Sequence, residues 1–119
     1  MSRRVEKPWG YEIIWAEGGS YVGKVLVIEA GHRLSLQYHQ VKDETILVLD
    51  GTLLLHTQSG HEVNVEELAE GEHRHVPPGL VHRYEAGTTR VRLVEVSTPE
   101  LDDVLRLEDD FGRQGTATP

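Results

Sequence analysis

With 119 residues, 38 % of them hydrophobic and 27 % charged, the chain is long enough for one domain with its own core and short for two. Twenty acidic against twelve basic side chains leave a formal charge of −8, which disfavours a general nucleic-acid surface, since such surfaces neutralise phosphates with Lys and Arg. The absence of cysteine excludes disulfides, thiolate metal sites and cysteine nucleophiles, so any metal must be held by nitrogen and oxygen.

The N-terminal stretch MSRRVEKPWGYE has no apolar signal core, and no run approaches the roughly 18 apolar residues of a membrane span. The expectation is a cytoplasmic protein without membrane contact. Along the chain, short runs rich in Val, Ile, Leu, Tyr and Thr alternate with Gly, Pro, Asp and Asn signals, the pattern of an all-β sandwich or barrel. Strands are expected near residues 11–15, 22–29, 34–39, 45–49, 52–57, 62–65, 75–76, 81–85 and 91–97, with no helix before residue 99. Asp50-Gly51, between two apolar runs, reads as a hairpin turn, and Gly60 marks a further turn. In VPPGLVH, two prolines and a glycine stiffen the backbone just before His82. The stretch PELDDVLRLEDDFGR reads as a short amphipathic helix or an extended strap. One domain is expected over residues 1–113, with a loose tail over 114–119.

Polar residues crowd the stretch LSLQYHQVKDETILVLDG. In a strand, residues two apart share a face, so Gln37 and His39 present an amide oxygen and an imidazole in one direction. Glu44 follows a turn-like stretch and opens the next strand, where its carboxylate can swing back beside them. His82 leaves the Pro-Pro-Gly turn at the start of another strand. Together the four would make a mixed nitrogen and oxygen site for one divalent ion, zinc first, with manganese, iron and nickel open. Arg33 shares the parity of Gln37 and His39 and is expected to point into the same cavity. By alternation Arg83 points the other way unless its strand bends. His73 and His75 fit no ligand position.

The spacing also carries a resemblance. Gly31, Gln37, His39, Glu44 and Gly51 resemble the first cupin motif, with glutamine at the position many cupins fill with a first histidine. Gly71, Pro77, Gly79 and His82 resemble the second, which departs only at Ala86. Beyond the motifs, EKPWGYEIIW, GKVLVIEAGHRLSLQYH, VPPGLVHRYEAG and LDDVLRLEDDFGR resemble the cupin domain of type II phosphomannose isomerase, from about Glu6 to Arg113. The stretch HQVKDETI departs from it: Gln40, Val41, Thr45 and Ile46 replace its histidines and tryptophan.

The resemblance implies a double-stranded β-helix, or jelly roll, and a metal-dependent aldose–ketose isomerase interconverting mannose 6-phosphate and fructose 6-phosphate. Lys24, which matches a lysine of that family, or Glu44 would carry the proton, and Arg33 or Arg83 would hold the phosphate of the sugar-phosphate substrate. Two alternatives stand beside it: a noncatalytic metal- or sugar-binding module, and a metal cupin of other chemistry such as oxygenation or dehydration. A homodimer through paired edge strands is a further expectation.

Overall fold

A computed structural model describes residues 2–116. Twelve strands follow one another: β1 (Arg3–Lys7), β2 (Gly10–Glu17), β3 (Val22–Ile28), β4 (Leu36–Tyr38), β5 (Glu44–Asp50), β6 (Leu53–Ser59), β7 (Glu62–Leu68), β8 (His73–Val76), β9 (Val81–Ala86), β10 (Val91–Ser97), β11 (Leu105–Glu108) and β12 (Gly115–Thr116). They form two six-stranded antiparallel sheets, in the orders β1-β2-β3-β10-β5-β8 and β12-β11-β4-β9-β6-β7. No described residue is helical.

Alternation places the core. In β10, Val91 and Leu93 point inward with Glu95 and Ser97, while Arg92, Val94 and Val96 face outward. The inner faces of both sheets contribute Leu26, Ile28, Ile46, Val48, Leu53, Leu55, Leu68, Tyr84 and Leu93 to one buried cluster. Burying each such aliphatic side chain is worth about 1.5–3 kcal/mol, so this cluster drives the two sheets together. The inward positions of Glu12, Lys24, Glu44 and Glu95 in one sheet, and of His82 and Arg106 in the other, are polar instead and are nevertheless buried.

Two expectations change. Asp50-Gly51 is not a hairpin, because β5 pairs with β10 and β8 whereas β6 pairs with β9 and β7. The turn carries the chain from one sheet to the other. Asp-Gly suits any tight turn that needs positive φ; Gly51 has φ 81°, and a Cβ there would lie 2.5 Å from the Arg90 carbonyl oxygen. Gly60 does join a hairpin, between β6 and β7. The segment after Pro99 is the strap rather than the helix: its strand β11 pairs with β4, placing Arg106 opposite Gln37. Of the expected loose tail, Gly115–Thr116 pairs with β11, and residues 117–119 lie outside the described residues.

Candidate metal centre

Three of the four expected ligands converge. His39 follows β4, Glu44 begins β5 and His82 lies in β9, so one ligand comes from one sheet and two from the other. All three are buried, at 1 %, 3 % and 0 % exposure, and their candidate ligand atoms lie within 4.8 Å of one another. His39 Nε2 is 2.9 Å from Glu44 Oε1, and His82 Nε2 is 3.3 Å from the same oxygen.

Local structure explains the convergence. The Gly79 amide donates to the His39 carbonyl at 2.7 Å, so the Pro-Pro-Gly turn is fastened to the end of β4 and delivers His82 beside it. Between His39 and Glu44 the chain reverses around the Asp103 carboxylate, which accepts the amides of Gln40, Val41 and Lys42 at 3.0, 2.6 and 2.8 Å. The backbone carbonyl of Asp103 lies 2.6 Å from His39 Nδ1, and that of Leu80 lies 2.9 Å from His82 Nδ1.

Those two carbonyls decide the proton positions. A carbonyl can only accept, so each Nδ1 carries a hydrogen and each ring turns its Nε2 toward Glu44. Either a proton or a metal ion must lie between each Nε2 and the carboxylate, because a bare lone pair facing it would be repulsive. Glu44 Oε2 and His82 Nε2 are also buried without a hydrogen-bond partner among the described residues. Leaving such atoms unsatisfied costs about 1–3 kcal/mol each. A divalent ion satisfies both, and its histidine ligands are typically held through the second ring nitrogen in this way. The donor set therefore fits a metal.

The surroundings tune the charges. Burial pushes the Glu44 carboxyl up, but the imidazoles of His39 and His82 and the charge of Lys42 prevail and hold it well below the usual carboxylate range. Glu95 behaves oppositely: burial, reinforced by the charge of Glu44, pushes it up to about 7. Lys42 Nζ lies between the two carboxylates, 3.3 Å from Glu95 Oε2 and 3.9 Å from Glu44 Oε2. Burial and the same two carboxylates push the Tyr84 phenol well up, so it remains a proton donor, and its hydroxyl has no partner among the described residues.

A cavity opens beside this cluster, lined by His39, Gln37, Lys24, Lys42, Glu95 and Arg106, among others. Gln37 faces it across from His82 in register, with its Oε1 accepting from Ser35 Oγ at 2.6 Å. Lys24 also faces it, buried, 3.3 Å from Glu12 Oε1. Arg33 and Arg83 do not. Arg33 forms a two-pronged pair with Asp110 at 2.8 and 2.9 Å on the surface. Arg83, on the opposite face of β9 from His82, donates to the carbonyls of Leu34 and Glu108. The cavity cations Lys7, Lys42, Arg106 and Arg113, and the acid Glu95, escaped the sequence reading. Glu95 did leave a signal, being a charge at core parity within the apolar run VRLVEVS; Arg106 left the weaker one of a charge flanked by two leucines.

The family described as "Mannose-6-phosphate isomerase C-terminal" matches residues 1–109. This chain belongs to that family. A mannose-1-phosphate guanylyltransferase, ManC, of Salmonella typhimurium is 38 % identical over 118 residues, covering 95 % of this chain and 24 % of that protein. The alginate biosynthesis protein AlgA of Pseudomonas aeruginosa is 33 % identical over 119 residues, covering 97 % and 24 %. The chain thus spans about a quarter of the length of these curated relatives. Among solved structures, the capsular polysaccharide assembling protein CapF of Staphylococcus aureus superposes with TM-score 0.81 at 18 % identity, covering 91 % of this chain and 33 % of that one. KdgF of Halomonas sp. gives TM-score 0.71 at 16 % identity, covering 84 % and 88 %. At such identities the likeness concerns the fold alone, and the expected cupin jelly roll is the fold found.

The expected mannose 6-phosphate–fructose 6-phosphate isomerase activity is corrected by the relatives. Curated relatives that match this family member over most of its length are named for guanylyl transfer on mannose 1-phosphate, or for alginate and xanthan biosynthesis, rather than for isomerisation. The stretch HQVKDETI, where the isomerase pattern breaks, lies in the loop and strand that present Glu44.

Proposed function

We propose that this chain is a divalent-metal-dependent cupin enzyme that binds and acts on a phosphorylated mannose-type sugar, the ligand class in the names of its guanylyltransferase relatives. The observation that carries this reading is the convergence of two carbonyl-pinned imidazoles on a buried carboxylate with one unsatisfied oxygen, beside a cavity rich in cations. His39, Glu44 and His82 would hold the ion, and Gln37, whose amide oxygen keeps a second lone pair, would supply a fourth donor. When bound, the ion supplies Lewis acidity toward a sugar oxygen.

The chain's own residues do the rest. Glu44, kept ionised, serves as ligand and not as base. Glu95 holds a proton that can be exchanged near neutral pH, with Lys42 beside it, and Tyr84 offers a hydroxyl donor. Lys24, clamped by Glu12, is a fixed positive charge in the cavity wall.

The test is elemental analysis of purified protein, followed by calorimetric titration with mannose 1-phosphate and phosphorus NMR of the mixture. One bound ion, saturable binding of mannose 1-phosphate and a new phosphorus resonance are expected, and His82→Ala should lose the ion and the turnover together. A metal-free protein, or a His82→Ala variant with full activity, refutes the reading; binding without turnover reduces it to a binding module.

A further inference from the structure

Arg106 is a buried cation that the metal cluster leaves unused. Only 8 % exposed, it stands inward from β11, and its Nε and Nη1 are buried without a hydrogen-bond partner among the described residues. No carboxylate lies within ion-pair distance of it among those residues. The other arginines near this sheet are satisfied: Arg33 by Asp110, Arg83 by two carbonyls and Arg113 by a two-pronged pair with Asp109 at 2.8 and 3.1 Å. An unpaired buried guanidinium costs several kcal/mol, so a native fold that retains one leaves its counter-charge to come from elsewhere.

We propose that Arg106 is the centre of a binding site for a dianionic phosphoryl group, on the cavity wall across β4 from the metal cluster. Three observations converge. Five cations (Lys7, Lys24, Lys42, Arg106 and Arg113) line the cavity against two acids, Glu12 and Glu95, in a chain whose overall charge is −8. Lys24 is paired with Glu12, and Lys42 lies between Glu95 and the ionised Glu44, whereas Lys7 reaches Glu12 only at 4.0 Å, so uncompensated positive charge gathers around Arg106 and Lys7. Arg106, Gln37 and His82 form one cross-strand row over β11, β4 and β9. Two strand spacings separate the backbones at its ends by about 10 Å, the scale of a hexose phosphate. Burial, aided by the neighbouring charge of Arg113, draws the Arg106 guanidinium below its ordinary value, as expected for a cation awaiting an anion.

The inference rests on the phosphorylated-sugar reading, and it moves the phosphate away from Arg33 and Arg83. Its test uses the full chain loaded with the metal found in it. Inorganic phosphate, mannose 1-phosphate and mannose are titrated by calorimetry into the wild type, Arg106→Met and, as a control, Arg33→Gln. Arg106→Met should weaken phosphate and mannose 1-phosphate binding at least tenfold while metal stoichiometry stays at that of the wild type, and Arg33→Gln should bind as the wild type does. In phosphate-free buffer Arg106→Met should raise Tm, since it removes an unpaired buried charge, and added phosphate should raise Tm only where Arg106 is present. Unchanged phosphate binding in Arg106→Met, or a lowered Tm with phosphate stabilisation retained, overturns the proposal. If mannose 1-phosphate binds no better than inorganic phosphate yet still requires Arg106, the anion site stands and the sugar reading falls. If mannose 1-phosphate binds both proteins equally, the site assignment falls and the sugar reading stands.

Discussion

Glu44 and Glu95 are the same residue type, both buried at the same end of the jelly roll, and their environments drive them to opposite protonation behaviour. The difference gives a pH signature for the metal-free protein. Glu95 titrates near 7 when folded and near the ordinary 4.5 when unfolded, so between those values the folded state binds the extra proton. Stability should therefore fall as pH rises through that window. Glu44, with its folded value lowered, contributes stability above the ordinary range and loses it only at acidic pH, so it does not mask the effect. Melting curves of metal-free protein from pH 5 to 8 should show Tm declining, and Glu95→Gln should flatten the decline; an unchanged slope in that variant would reassign the proton. His39 and Glu44 were legible as neighbours because they share one short stretch, and His82 because a stiff Pro-Pro-Gly turn precedes it; the structure brings the three together. Arg33 was not legible as a surface residue, because its partner Asp110 lies 77 positions away and parity carries no information about distant partners.

At the scale of elements, most strands were legible from their alternation, and the pairings were not. Asp50-Gly51 announces a turn but cannot say whether the next strand returns beside its predecessor or crosses to another sheet, which long-range packing decides. The strap after Pro99 was ambiguous for a related reason: LDDVLRLEDD has no strict period, and its conformation is imposed by docking against β4. That docking matters to the site. Asp103 sits in the strap, yet its carboxylate holds three amides of the loop before Glu44 and its carbonyl orients His39. Asp103→Ala frees the loop without touching a ligand, and metal affinity should fall by about 10–100-fold, as for other residues that orient ligands. Competition with a chelating dye measures this, and Asp103→Asn should restore part of the loss because it retains one acceptor oxygen. An unaltered affinity in Asp103→Ala would show that the loop holds its shape unaided.

Across the whole molecule, the apolar cluster and the cavity share one interior, with hydrocarbon toward one end and charge toward the other. Such an interior trades stability for chemistry, since each buried ionisable group there could have been a packed side chain. Bound ligands recover part of that loss. An ion present at about 100 times its dissociation constant would add about 2.7 kcal/mol, so chelation of a metal-loaded sample should lower Tm by several degrees and readdition should restore it.

The origin of the three ligands has one more consequence. Because Glu44 begins a strand of one sheet, while His82 lies in the other and His39 directly follows a strand of it, a shared ion would be a rivet through both layers. Opening β5 away from β9 would then require breaking coordination bonds, whereas the β6–β7 hairpin could still fray at its tip. Amide hydrogen exchange should accordingly slow on metal loading in β5 and β9 together and remain as fast as before around Gly60.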